Sequence, residues 1–363
     1  MESPSSQSGV PRPTQTRVPI TWLEIGVLLA CVVVVVTILL PLLQSARESS
    51  RRATCGRNLT LIGLAIREYE ATYKTLPPSH WTKTRDQGKA FGIDYPDSQG
   101  NSLSGWGWGT LLLPMLNQSV VYDRIDLNRP CWDPSLALHT NTRLSFFLCP
   151  SASGGDGGFE VQKAGADRQH GVPIQLTGGN NVRFGHSHYA VNCGTVAPWD
   201  RSPADSFDFS VPEVRIIAKK TVSIPIDGPF YPNSMVTLKS IKDGLSNTIF
   251  VGEHSSIVSN KTWVGVVPTS VSVPRLDLRQ WNSECRGGGS LVAVHSGPDP
   301  RKLQPLPVFA PNNPFGHTDS TWSEHGEGSQ CLMGDGAVRF YSTYIHPPTW
   351  VGLSTSNGGE NVQ

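Results

Sequence analysis

Apolar and polar positions divide this chain sharply near its start. From Ile25 to Leu43 nineteen residues carry no charge, and five consecutive valines, Val32 to Val36, lie at their centre. That is close to the ~20 apolar residues a helix needs to cross a bilayer. From Gln44 the pattern changes. Leu59, Ile62, Leu64, Ala65, Ile66, Tyr69 and Tyr73 recur mostly at three- and four-residue steps, which predicts that the helix continues with one apolar stripe. Pro41 predicts a kink, because proline lacks the backbone donor and clashes with the preceding turn. Pro77-Pro78 predicts the end. A helix from Glu24 to Tyr73 would be roughly 75 Å long at ~1.5 Å per residue.

Beyond Tyr73 the period shortens. Ala337-Val-Arg-Phe-Tyr341 alternates as a half-buried strand does, and Gln330-Cys-Leu-Met333 can pair with it. Asp335-Gly336 between them supplies the positive φ of a tight turn, so Cys331 to Tyr341 reads as a hairpin. Asp243-Gly244 is a second turn of the same chemistry. Composition points the same way: 36 glycines and 29 prolines favour turns over long helices, and charged residues, at 16%, fall below the roughly 25% of an average domain. The expected fold is α+β, a long N-terminal transmembrane and amphipathic helix packed on an antiparallel sheet, with a β-rich elaboration over about residues 150–320. Residues 1–19 read as a disordered, mildly basic leader, 20–45 as the transmembrane helix and 46–363 as the exported head. A net charge of +1 and the lack of basic–aromatic interleaving give no reason to expect nucleic acid as a partner.

A cleaved secretory signal would have an apolar core of only ~7–15 residues and a small-residue cleavage site. Here the run is longer and passes directly into Gln44-Ser-Ala-Arg-Glu-Ser-Ser-Arg-Arg52, so a retained anchor is expected. Arginines do not orient it: Arg12 and Arg17 precede the run, and Arg47, Arg51, Arg52 and Arg57 follow. Cysteines do. Cys31 lies in the apolar run, but Cys55, Cys131, Cys149, Cys193, Cys285 and Cys331 fall in the head, an even number suited to an oxidising compartment. No Cys-x-x-Cys occurs, so the usual zinc and thioredoxin patterns are missing. Up to three disulfides are expected, among the fifteen pairings six cysteines allow. Scattered buried thiols are the alternative.

Glu24 needs an explanation, since a carboxylate at the edge of a membrane helix is costly without an interface or a partner. The helix N-terminus favours it electrostatically; a neighbouring subunit's N-terminus is the other candidate partner. Ile20-Thr-Trp-Leu-Glu24 followed by an apolar helix resembles the start of type IV pilins and type II secretion pseudopilins. In that class a prepilin peptidase cuts before the first residue of such a pentad, which implies assembly and processing roles for Pro19, Ile20 and Glu24. One departure matters: Pro19 stands where the class has Gly, and proline does not present a flexible backbone for cleavage. A permanently retained leader is therefore an open alternative.

Further blocks extend the resemblance. They are Leu111-Leu-Leu-Pro114, Asn117-Gln118, Val121-Tyr122, Cys149-Pro-Ser151, His188-Tyr189 and Asn192-Cys-Gly194. Ile241-Lys-Asp-Gly-Leu-Ser-Asn-Thr248 and Val251-Gly-Glu253 follow, then His325, nine residues, and Asp335-Gly336. In order and spacing these resemble the prepilin-like family numbered 1559 among domains of unknown function (DUF1559), abundant in planctomycetes and marked by a C-terminal H-x9-DG signature. The resemblance covers about residues 20–360. It implies family-motif roles for Asp243, Gly244, Ser246, Asn247, Thr248, Glu253, His325, Asp335 and Gly336. It also implies a single-pass protein with a cytoplasmic N-terminus and a periplasmic or cell-surface head, whose partners are the membrane and other pilin-like subunits or its own copies.

Chemical readings of the motifs are modest. Asp243 to Thr248 is dense in short oxygen-bearing side chains, but it lacks the spacing and closing Glu of a calcium loop. Side chain to backbone bonds in a turn explain it as well. Glu253-His254 and Glu324-His325 pair an acid with an imidazole, yet neighbours on a strand face opposite ways. No G-x-S-x-G, H-E-x-x-H or P-loop occurs. His186-x-His188 places two imidazoles on one strand face without an apparent third ligand, so a structural pair is expected. Trp106 and Trp108 in Gly-Trp-Gly-Trp-Gly share a face that either binds a glycan or plugs the core; core is expected. The expected function is therefore a non-enzymatic, membrane-anchored pilin-like surface subunit, with no cofactor and no metal. The alternatives are a solitary signal-anchored domain binding a glycan or protein, and a cell-surface hydrolase built around His325 and Asp335.

Overall fold

The computed structural model describes residues 21–81, 105–154, 157–167, 170–176, 179–195, 213–217, 220–224, 227–267, 269–275, 285–297, 308–314 and 316–359. It separates into two compact units, Met1–Ser49 and Ser50–Gln363. One helix, α1 (Trp22–Tyr73), runs through 52 residues with Pro41 inside it, beginning two residues before Glu24. It stops because Lys74 takes a left-handed φ of 64° and returns its N–H to Glu70 O at 2.7 Å, ahead of the Pro77-Pro78 pair.

In the first unit every residue from Ile25 to Leu43 is exposed. This is a helix long and apolar enough to cross a membrane. In water each large apolar side chain left exposed there forfeits roughly 1 kcal/mol or more. The chain thus carries a surface that water alone does not satisfy.

In the second unit the remaining turns of α1 are a core element. Leu59, Ile62, Ala65, Ile66 and Tyr69 are buried in one cluster with Tyr189, Val191, Phe250, Val251 and Leu332. Two members of the expected stripe do not join: Leu64 is 62% and Tyr73 55% exposed. At ~100° per residue, Leu64 lies on the far side from Leu59 and Ile66. Gly63 brings the helix close to the sheet, since a Cβ there would sit 2.8 Å from Leu332 Cδ1.

The sheet against this helix has five strands: β1 (Tyr189–Asn192), β2 (Ile249–Glu253), β3 (Ala293–Val294), β4 (Gly328–Met333) and β5 (Val338–Ser342). Their order is β3-β1-β2-β4-β5. All neighbours are antiparallel except β3 and β1, which pair in parallel. β4 and β5 are the expected hairpin, with Gly336 at φ 92° in its turn and Cys331 opposite Arg339. A second, four-stranded antiparallel sheet (Arg286–Gly287, Ser270–Ser272, Gln162–Ala164, Gly171–Pro173) lies inside the span expected to be β-rich. α2 (Pro347–Ser354) closes the fold by burying Trp350 against Ile249, Cys331 and Met333.

The Gly-Trp-Gly-Trp-Gly segment is a packing device. Trp106 and Trp108 are wholly buried, and their indole N–H groups donate to Arg129 O at 2.9 Å and Val292 O at 3.1 Å. The intervening glycines let two backbones touch: a Cβ on Gly107 would lie 3.0 Å from Gly265 Cα, and one on Gly109 2.6 Å from Trp263 O.

Candidate functional site

Four elements meet behind β4. Cys55 comes from α1, and Cys149 follows the short helical turn Ser145–Phe147. Glu253 is the last residue of β2, and His325 lies in the loop leading into β4. All four are buried. Cys55 and Cys149 form a disulfide. His325 Nε2 stands 3.2 Å from Cys149 Sγ and 3.6 Å from Glu253 Oε1.

Each member is held from outside. Glu253 Oε2 accepts the Gln330 N–H at 2.8 Å and the Ser329 hydroxyl at 3.3 Å. Its Oε1 accepts no hydrogen bond and faces the imidazole. Burial raises the Glu253 pKa above the usual carboxylate value; the Gln330 N–H and the nearby His325 work against that rise. The Cys149 N–H donates to His188 Nδ1 at 3.0 Å, and Asn58 Nδ2 donates to Leu148 O at 3.1 Å. Arg52 Nη2 donates to His325 O at 2.5 Å while its guanidinium lies 4.8 Å above the Phe340 ring. The result is a buried, preorganised group of two sulfurs, an imidazole and a carboxylate on separate parts of the fold.

The other motif residues do different work. Asp335 sits in the hairpin turn, accepts the Ala337 N–H at 2.9 Å and pairs with Arg339 at 3.8 Å. It is not in the group that Cys55, Cys149, Glu253 and His325 form, although the alternative hydrolase reading pairs it with His325. Asp243 accepts the Thr355 hydroxyl and the Gly358 and Gly359 N–H groups, each at 2.8 Å, tying down the C-terminal residues. Gly244 turns at φ 90°, Asn247 donates to Asp243 O, Thr248 donates to Gly244 O, and Ser246 is exposed. The Asp243 carboxylate and the Thr248 hydroxyl are thus engaged by the chain itself. Neighbouring acid and imidazole groups diverge: Glu324 accepts from Ser153 and Ser255, and His254 contacts Ser259 and Ser320. His186 and His188 share Ser256 Oγ as a partner, in keeping with a structural pair.

Pro19 and Ile20 lie outside the described residues, and of Glu24 only the helical backbone is described. Of the six head cysteines, two form the bridge. Cys131, Cys193 and Cys331 are buried thiols whose pKa values burial raises; Cys131 donates to Val266 O at 3.6 Å and Cys193 to Val294 O at 3.0 Å. Cys285 is half-buried and outside the bridge.

Several polar core residues had no sequence signal. Lys261 is wholly buried, donates to Ser290 O and Thr318 O, and is pushed down to about 7 by desolvation against an upward pull from Asp319. Asp319 Oδ1 also lies 3.3 Å from His295 Nε2 and 3.8 Å from His317 Nδ1. The Gly297 N–H donates to His295 Nδ1 at 3.1 Å, which leaves the ring proton of a neutral imidazole on Nε2, facing the carboxylate. The trio brings two imidazoles to one buried carboxylate. No curated protein and no solved structure matches the chain. Residues 44–347, most of the chain, match the family described as Protein of unknown function (DUF1559), and the protein belongs to that family.

Proposed function

We propose that the protein is a non-enzymatic, membrane-anchored subunit of the pilin-like kind, with its head outside the cytoplasm. One observation carries this reading: a single helix is exposed and apolar from Ile25 to Leu43, then becomes a core element from Leu59 to Tyr69. A surface of that kind seeks lipid or the same surface on neighbouring chains. The Cys55–Cys149 bridge supports the orientation, because disulfides persist in oxidising compartments. Glu24 would then meet the N-terminus of a neighbouring subunit at the edge of the membrane.

The test is the mass and N-terminal sequence of the protein from its native membrane, joined to membrane crosslinking of wild type and Glu24→Ala. Processing before Ile20 and crosslinked multimers that Glu24→Ala loses are expected. A chain retaining Pro19 and remaining monomeric would overturn assembly in favour of a solitary anchored domain.

A further inference from the structure

A disulfide accounts for two of the four groups behind β4, but not for a buried imidazole and a buried carboxylate converging on its sulfurs. We propose that when the Cys55–Cys149 bridge is reduced, these residues hold one zinc-class divalent cation through both sulfurs, His325 Nε2 and Glu253 Oε1. The inference is independent of the pilin-like reading and stands on geometry.

All four donor atoms lie within 4.8 Å of one another. A tetrahedral zinc shell with bonds of ~2.0–2.3 Å sets neighbouring donors about 3.3–3.8 Å apart. The imidazole nitrogen already lies 3.2 Å from Cys149 Sγ and 3.6 Å from Glu253 Oε1, so small side-chain rotations suffice. Two thiolates, one imidazole and one carboxylate form a borderline-soft set, suited to zinc and poor for magnesium or calcium. Four protein ligands on a buried site describe a closed, structural centre with no position reserved for substrate.

The surroundings match what a metal requires of its outer contacts. Gln330 N–H and Ser329 occupy Glu253 Oε2, which leaves Oε1 as the available donor. His188 fixes the backbone of Cys149, and Arg52 fixes that of His325. Two thiolates and a carboxylate around a divalent cation leave a charge of −1, and the Arg52 guanidinium is the nearby compensating cation. The chemistry balances simply. A dithiol reductant gives two electrons and two protons to the bridge and becomes a disulfide; the cation then displaces the two thiol protons. Both states tie α1 to the same loops, one by a covalent bond and the other by coordination.

The test uses the full chain in detergent, reduced with a dithiol that is then removed without air, and titrated with cobalt(II). Reduced wild type should bind one equivalent and show thiolate-to-cobalt charge-transfer absorption, which zinc abolishes by displacement. Oxidised protein should show none. His325→Ala and Glu253→Gln should each weaken binding by about tenfold or more while keeping the thiolate band. Absence of the band in reduced wild type overturns the proposal without any variant being needed. Binding without the band, or affinity unchanged in both variants, also overturns it by moving the cation elsewhere. A retained leader or a monomeric membrane protein would leave these outcomes untouched.

Discussion

Removing the bridge should cost the head a large share of its stability. Cys55 and Cys149 are 94 residues apart, so the bond closes a long loop in the unfolded chain. The loop-entropy relation gives about 4–5 kcal/mol at 25 °C for a loop of that length. Measured bridges commonly deliver ~2–4 kcal/mol, so the lower half of that combined range is the safer expectation for Cys55→Ala/Cys149→Ala. The cavity is small, because each substitution deletes one sulfur. Against a total stability of about 5–15 kcal/mol for a folded domain, the loss is substantial. With a urea dependence of roughly 3 kcal/mol per molar, the unfolding midpoint should fall by about 1 M. Tryptophan fluorescence reports it, since Trp106, Trp108, Trp263 and Trp350 are buried in the head. Hydrogen exchange should rise first in α1 around Cys55 to Ile66, where the covalent tie to the loop is lost. The mass of the parent must first show two hydrogens fewer than the fully reduced chain. With the bridge thus present, coincident urea curves for parent and variant would refute the reasoning.

Two further outcomes are expected. The head should lose stability as pH falls from about 6.5 toward 4: burial lowers His80 to about 3, His186 to about 4, and His254 in the same direction, so the unfolded chain takes up protons that the folded one refuses. Glu253 acts oppositely, because its raised pKa favours the folded state as protons are added, but three histidines outweigh one carboxyl. Urea midpoints at pH 7.5 and 5 should therefore separate, and His80→Asn should narrow the gap; equal midpoints for wild type would sink the argument. Asp243→Ala should cost about 1–3 kcal/mol by stranding the partners at Thr355, Gly358 and Gly359, and should expose the C-terminal residues to carboxypeptidase. Unchanged digestion would show that the aspartate does not hold that end.

What could be read from the sequence followed the range of each signal. The long helix and the β4–β5 hairpin were legible because their periodicity and turn chemistry are local. Leu64 is apolar and near the stripe in sequence, but its angle on the helix puts it on the outer face. The second sheet is built of strands of two or three residues, too short for an alternating pattern to show. The parallel contact of β3 with β1 joins residues about a hundred positions apart, beyond any local signal. Glu253, His325 and the cysteines are each visible as residues, but their meeting is not, since it depends on how four separate parts of the fold are placed. Lys261 sits in the polar string Ser259-Asn-Lys-Thr262, which reads as a solvated loop. Only the fold supplies the two carbonyls that make its burial tolerable.

The spacing from His325 to Asp335-Gly336 fits the same packing. Arg52 holds the carbonyl of His325 at one end, and Arg67 donates to Gly334 O at 2.9 Å beside the Asp335-Gly336 turn at the other. Fifteen residues of helix span roughly 22 Å at ~1.5 Å per residue. Nine residues of extended chain span up to about 30 Å at ~3.3 Å each, and the two arginine side chains and the non-extended loop absorb the difference. Apolar contacts such as Gly63 against Leu332 are compatible with small slips of helix over sheet. Charged donors on two carbonyls, with a covalent tie at Cys55 between them, are not. Contacts that fix both ends of β4 to the helix therefore resist sliding, and the bridge behind them keeps the helix from peeling away.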